Sequence, residues 1–257
     1  MLQVSPVPVL LLLGLLPVAV MGQPAAAPVL YPVGLSVTCG GGRYSLRDEN
    51  ISRQRYEGAL PRLTASWAAD HTRYLYRVGI EFQQSDRIRN HSVRTDITRF
   101  VLGQSFLYPL PPRKIRGRTA QLYVGPVTEI DSYLNQQHIA VDALGFAESL
   151  CLLLSLGAQA EALMPLTPRV TLHGSLRSSV VSLGVRGVDD EIDDASPAKL
   201  LLPWSGTNTS LSAGLLYRYS ERFAAGAEYL FQITRVTAWL PLVSANNSLV
   251  ARLTCRL

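Results

Sequence analysis

The stretch RYLYRVGIEFQ, residues 73–83, decides how the rest of the chain is read. Tyr74, Tyr76, Val78, Ile80 and Phe82 fall on one side, and Arg73, Arg77, Glu81 and Gln83 dominate the other. Side chains of an extended strand alternate between faces. A period of two with one apolar and one charged side therefore predicts a strand lying between two different media.

The pattern recurs in both directions. Upstream, Leu35, Val37 and Cys39 alternate with Ser36 and Thr38, and Leu63, Ala65 and Trp67 with Thr64 and Ser66. Downstream, apolar faces come from Phe100, Leu102, Phe106 and Tyr108, from Ala120, Leu122 and Val124, and from Leu150, Leu152, Leu154 and Leu156. Further faces come from Val170, Leu172 and Leu176, from Leu215, Tyr217 and Tyr219, and from Phe223, Tyr229, Phe231 and Ile233. The last run holds Leu249, Ala251, Leu253, Cys255 and Leu257, which makes ten predicted strands. Short links at Asp70-His71, 109–117, 163–168 and 220–222 alternate with longer polar ones such as 46–58, 85–94 and 186–208. Segments within 138–146 and 198–204 leave twelve strands as the alternative.

Composition narrows the class. Apolar residues make up 47% of the 257, charged residues 17%, and the net charge is +5; an ordinary soluble domain carries about 25% charged residues. The arginines are scattered singly, with no zinc spacing, phosphate loop or basic stripe, which argues against a nucleic-acid partner. Residues 1–22 have an apolar core ending at small residues, Val20 and Gly22, and are expected to be a secretory signal. That leaves 23–257 as one β-domain, and no later apolar run reaches the ~18 residues of a membrane helix. Three cysteines, Cys39, Cys151 and Cys255, are too few for a disulfide scaffold.

A soluble β-sandwich or lipocalin-like barrel also alternates, but sandwich strands average about 5–6 residues. The clearest runs here continue for about 9–14 residues, close to what a tilted strand needs to cross a bilayer. Aromatics gather towards strand ends, as in the girdles of membrane barrels. Backbone groups in hydrocarbon have no water to bond, so such a sheet must close on itself. The expected fold is all-β: a closed antiparallel meander forming a transmembrane barrel, its last strand pairing with the first near residues 35–42. Cys39 and Cys255 then fall on neighbouring strands, and whether they pair depends on register.

Two segments, GLLYRYSERFAAGAEYLF (214–231) and NNSLVARLTCRL (246–257), resemble small outer-membrane β-barrel proteins of Gram-negative bacteria, of the Bacteroidota type and porin-like. The resemblance implies an integral outer-membrane protein in contact with outer-membrane lipid and lipopolysaccharide, inserted by the barrel-assembly machinery. Such barrels usually end in Phe or Trp, whereas this chain ends in Leu257. The resemblance supplies no activity, no cofactor and no oligomeric state.

With the apolar face against lipid, the alternate residues are expected to line the lumen: Arg62, Arg73, Arg77, Glu81, Arg99, Glu129, Glu161, Arg169, Arg177, Arg218, Glu228, Arg252 and Arg256. Placing an arginine on the lipid face costs about 2–4 kcal/mol at the midplane, which fixes the register. Arginines paired with glutamates would fill a barrel of this size; surplus positive charge would favour anions in a narrow pore. A non-enzymatic structural protein or narrow anion-favouring pore is therefore the leading expectation. A membrane-embedded lipid hydrolase using His173 and Ser175 is one alternative, although both residues are expected to point inward, away from lipid. A module binding through its long outer loops is another. Asp189, Asp190, Glu191, Asp193 and Asp194 form an acidic loop, a weak candidate for calcium or for an omptin-like protease site, with no EF-hand spacing.

Overall fold

A computed structural model describes residues 33–256 except 50–51, 72, 91–92, 139–145 and 189–197. The signal segment and the acidic loop lie outside the described residues. The strands are β1 (Gly34–Asp48), β2 (Ser52–Asp70), β3 (Leu75–Asn90), β4 (Val93–Pro109), β5 (Arg113–Ile115), β6 (Arg118–His138), β7 (Phe146–Pro165), β8 (Val170–Val188), β9 (Lys199–Leu201), β10 (Gly206–Arg218), β11 (Phe223–Val236) and β12 (Leu242–Cys255).

Ten of these form the wall, each pairing antiparallel with its neighbours in chain order, while β5 and β9 are short pieces paired to β6 and β8. Closure comes from β12 against β1, from Leu35 opposite Cys255 to Asp48 opposite Leu242. The last strand therefore meets the first where expected, and the cylinder has no open edge. Cys39 faces Ala251 and Cys255 faces Leu35 in this register. The two thiols are four positions apart along the seam, and both are free.

The apolar belt is as anticipated. Leu63, Ile80, Phe82, Leu102, Leu152, Leu176, Leu211, Tyr229, Leu249 and Leu253 all point outward and are exposed. Towards the tight turns the belt ends in stacked aromatics, with Tyr76 and Phe106 rings 5.0 Å apart and Trp67 edge-on to Tyr76 at 6.0 Å. The turn after β5 has both Arg116 (φ 50°) and Gly117 (φ 78°) in the left-handed region, the backbone of a type I′ hairpin turn. Inside, Gly42 and Gly125 permit close strand approach: a Cβ would lie 1.7 Å from the Asn247 carbonyl oxygen and 1.8 Å from that of Phe106.

Two expectations need correction. The polar stretches 46–58 and 85–94 are not long loops; most of their residues continue β1 through β4. The physical reason is an inversion of the pattern. Beyond the belt the wall stands in water, so its exterior turns polar (Arg43, Arg47, Arg55, Glu57). Its interior there turns apolar, with Tyr44, Leu46, Leu60, Ile88, Ile97 and Leu242 at 0–1% exposure. Tyr133, Leu153, Leu201 and Val236 complete this cluster, which draws on strands around the circumference. The barrel is thus inside-out within the belt and conventionally packed above it. At the turn end, a smaller apolar cluster of Ala68, Leu75, Leu107, Tyr123 and Leu163 fills the side formed by β2 to β7.

Candidate functional site

Between the apolar clusters lies the polar interior, and its charges pair one to one. Arg62 Nη2 is 2.9 Å from Glu81, Arg77 Nη1 2.7 Å from Glu161, Arg177 Nη1 3.4 Å from Glu129, and Arg252 Nη2 3.3 Å from Glu228. Arg99 grips Asp131 with two donors, at 2.9 and 2.5 Å, and Arg186 pairs with Asp48 further out, among the apolar residues of the wet end. Amides stitch these pairs together. The Asn208 side chain donates to Glu129 (3.0 Å) and Asp131 (3.2 Å), and Arg62 donates to Gln232 at 2.5 Å. Buried charge is tolerated only when paired and hydrogen-bonded; each of these arginines has a carboxylate partner, although Arg62 Nε and Nη1, Arg186 Nε and Arg252 Nε are buried with no acceptor.

Of the thirteen residues expected in the lumen, Arg62, Arg77, Glu81, Arg99, Glu129, Glu161, Arg177, Glu228 and Arg252 meet in this network. Arg73 instead stands exposed in the turn between β2 and β3. Arg169 and Arg218 lie at the turn-end mouth, where they line a cavity with Arg222 and Arg256. Three interior charges escaped sequence reasoning: Asp48, Asp131 and Arg186. Asp131 continues the odd-numbered inward parity of Glu129, and Asp48 the even parity of Tyr44 and Leu46, so both were readable once the strands were drawn long enough. Arg186 was hidden by a bulge. Leu156 faces Val181 while Gly157 faces Ser179, leaving Val180 without an opposite residue and 53% exposed. Inward parity on β8 therefore switches from odd to even beyond it.

His173 and Ser175 both line a central cavity of about 160 Å³, together with Arg62, Arg77, Arg177 and Arg252. His173 is buried between two carboxylates, with Nδ1 3.3 Å from Glu228 and Nε2 3.7 Å from Glu161. The Ser175 hydroxyl is engaged by Ser212 at 2.8 Å. A nucleophile must be hydrogen-bonded to its base and must reach substrate. Here the hydroxyl is tied to a second serine, and the site faces away from the bilayer.

Above the belt, His138 Nε2 lies 2.8 Å from Asp96 on the outer wall of β4 and β6, and Arg94 Nε lies 3.1 Å from the same carboxylate. Partial burial works to raise the Asp96 pKa, but the hydrogen bonds from His138 and Arg94 outweigh it and hold the carboxyl below its usual range. Among the described residues no group of three or more His, Cys, Asp or Glu side chains is arranged to hold a metal ion.

No known family model matches the chain, and no curated protein matches it. Solved structures do. The outer membrane protease OmpT from Escherichia coli is 7% identical with a TM-score of 0.54, over 92% of this chain and 100% of that one. Neisserial surface protein A is 14% identical with a TM-score of 0.36, over 86% and 97%. The translocator domain of the autotransporter NalP from Neisseria meningitidis is 11% identical with a TM-score of 0.43, over 89% and 90%. At such identities the OmpT likeness shows the fold alone. With the apolar exterior and charged interior, that fold is a closed ten-stranded β-barrel of the outer-membrane type.

Proposed function

We propose that the protein is a non-enzymatic outer-membrane barrel with a filled interior, exported by removal of residues 1–22 and inserted by the barrel-assembly machinery among lipopolysaccharide and phospholipid. The pairing of six interior arginines with six carboxylates carries this reading. A conducting lumen needs mobile water and unsatisfied charge, whereas these groups neutralise one another beneath an apolar cap. The surplus positive charge that would favour anions within the lumen is also absent, because Asp48 and Asp131 complete the balance. The segments 214–231 and 246–257 still favour the small Bacteroidota-type barrels within the wider class.

OmpT is a protease by its description, so hydrolysis is the reading to compare. The Asp96–His138 pair lies on the outer wall, and in the central cavity the Ser175 hydroxyl is bonded to Ser212 and not to His173; neither arrangement puts a nucleophile on its base. Planar-bilayer recording tests the filled barrel, with no stable unitary current expected from the refolded protein. A steady pore current would overturn it. Phospholipid and casein hydrolysis assays are expected to show no activity, and equally none in Ser175→Ala.

A further inference from the structure

The turn end carries arginines of a different kind. Arg169, Arg218, Arg222 and Arg256 surround a cavity of about 320 Å³ whose lining includes one carboxylate, Glu221. Every arginine of the polar interior has a carboxylate within 4.0 Å. These four have none among the described residues. Their backbones are tied together and one guanidinium is held, while all four residues stand exposed. The Arg218 amide donates to the Arg169 carbonyl at 2.7 Å, its guanidinium donates to the Pro168 carbonyl at 2.9 Å, and the Arg256 amide donates to the Arg222 carbonyl at 2.7 Å. Two turns and the end of β12 are thereby tied into one frame. Leu216, buried at 8% exposure, contributes to the cavity lining.

We propose that this cavity binds a small soluble molecule bearing a phosphate or diphosphate group. Guanidinium groups present planar forked donors that match phosphate oxygens in pairs, and preorganised donors lose little freedom on binding. Four arginines against one carboxylate suit a multiply charged anion better than a single carboxylate. The volume lies at the small end of ligand cavities. Arg218 continues the inward parity of Leu216 on β10, and Arg169 and Arg256, one residue outside β8 and β12, continue that of His173 and Thr254, so the cavity opens along the barrel axis and not sideways into lipid.

Titration calorimetry on the detergent-refolded full chain tests the site, and its outcome does not depend on whether the lumen conducts. Inorganic pyrophosphate is the soluble probe, and phosphatidylglycerol in mixed micelles is the lipid probe. The expected result is saturable pyrophosphate binding that weakens about tenfold for each arginine removed in Arg169→Gln and Arg256→Gln. Arg113→Gln, away from the cavity, should bind as wild type, and heat-modifiable gel mobility confirms that each variant is folded. Absence of pyrophosphate binding, equal weakening by Arg113→Gln, or binding of phosphatidylglycerol alone would each overturn the proposal.

Discussion

Asp48 shows what a single interior charge contributes. Its carboxylate accepts from Arg186 and, at 3.3 Å, from the Asn135 amide, with the aspartate and arginine side chains at 2% and 0% exposure. Removing one partner leaves the other buried and uncompensated. Asp48→Asn is therefore expected to lower stability by about 3–5 kcal/mol in urea unfolding from detergent, and the paired change Asp48→Asn with Arg186→Met to recover most of the loss. A double variant as unstable as the single one would show that the pair is not a unit. Asp96 behaves differently, because it stands on the wet outer wall. Its carboxyl is held below its usual range, so its contribution is present above the ordinary aspartate pKa of about 3.9 and is lost as pH falls through the lower folded value. Amide protection factors at the β4–β6 end, taken against the intrinsic exchange rate at each pH, are expected to fall in acid in the wild type, and to respond less to pH in Asp96→Asn.

At the scale of the strand, what was legible in the sequence depended on a constant phase. Within the belt, residues 73–83 and 249–255 carry period two cleanly, and facing direction follows residue by residue. Above the belt the polar and apolar faces exchange places, so Arg47 and Arg55 looked like loop residues although they are strand. The bulge at Val180 breaks parity again, which concealed Arg186. Long-range register is another matter, since only closure decides which residues meet across the β1–β12 seam. That seam yields a direct test. Cys39 lies opposite Ala251, and directly opposed antiparallel positions have Cα atoms about 4.5–5.5 Å apart, within disulfide reach. Ala251→Cys is expected to cross-link to Cys39 under mild oxidant, giving a species of altered mobility that reductant reverses. Wild type, with its thiols four positions apart, should give no intramolecular band. A wild-type Cys39–Cys255 cross-link would contradict the register.

For the whole molecule, the barrel is three stacked environments: an apolar core at the wet end, a charged layer within the belt, and an arginine-lined mouth at the turns. The stacking predicts unfolding in one cooperative step, because the charged layer is stable only while both the wall and the cap exist. Of the three tryptophans, Trp67 lies in the belt and Trp204 and Trp239 at the wet end; Trp204→Phe with Trp239→Phe leaves the belt reporter, and Trp67→Phe leaves the pair at the wet end. Both variants are expected to report the same urea midpoint. Separate midpoints would mean that the outer cap melts independently of the membrane cylinder.

The interior ties also have a mechanical meaning. Arg77 on β3 reaches Glu161 on β7, Arg62 on β2 reaches Gln232 on β11, and Asp48 on β1 reaches Arg186 on β8, none of them neighbouring strands. Each tie is a chord of the cross-section, and chords in several directions hold a hoop circular. An empty ring of strands flattens under lateral squeezing at the cost of bending alone. This one must also stretch or break ion pairs, so it should keep its outline as the lipids around it thicken, thin or crowd.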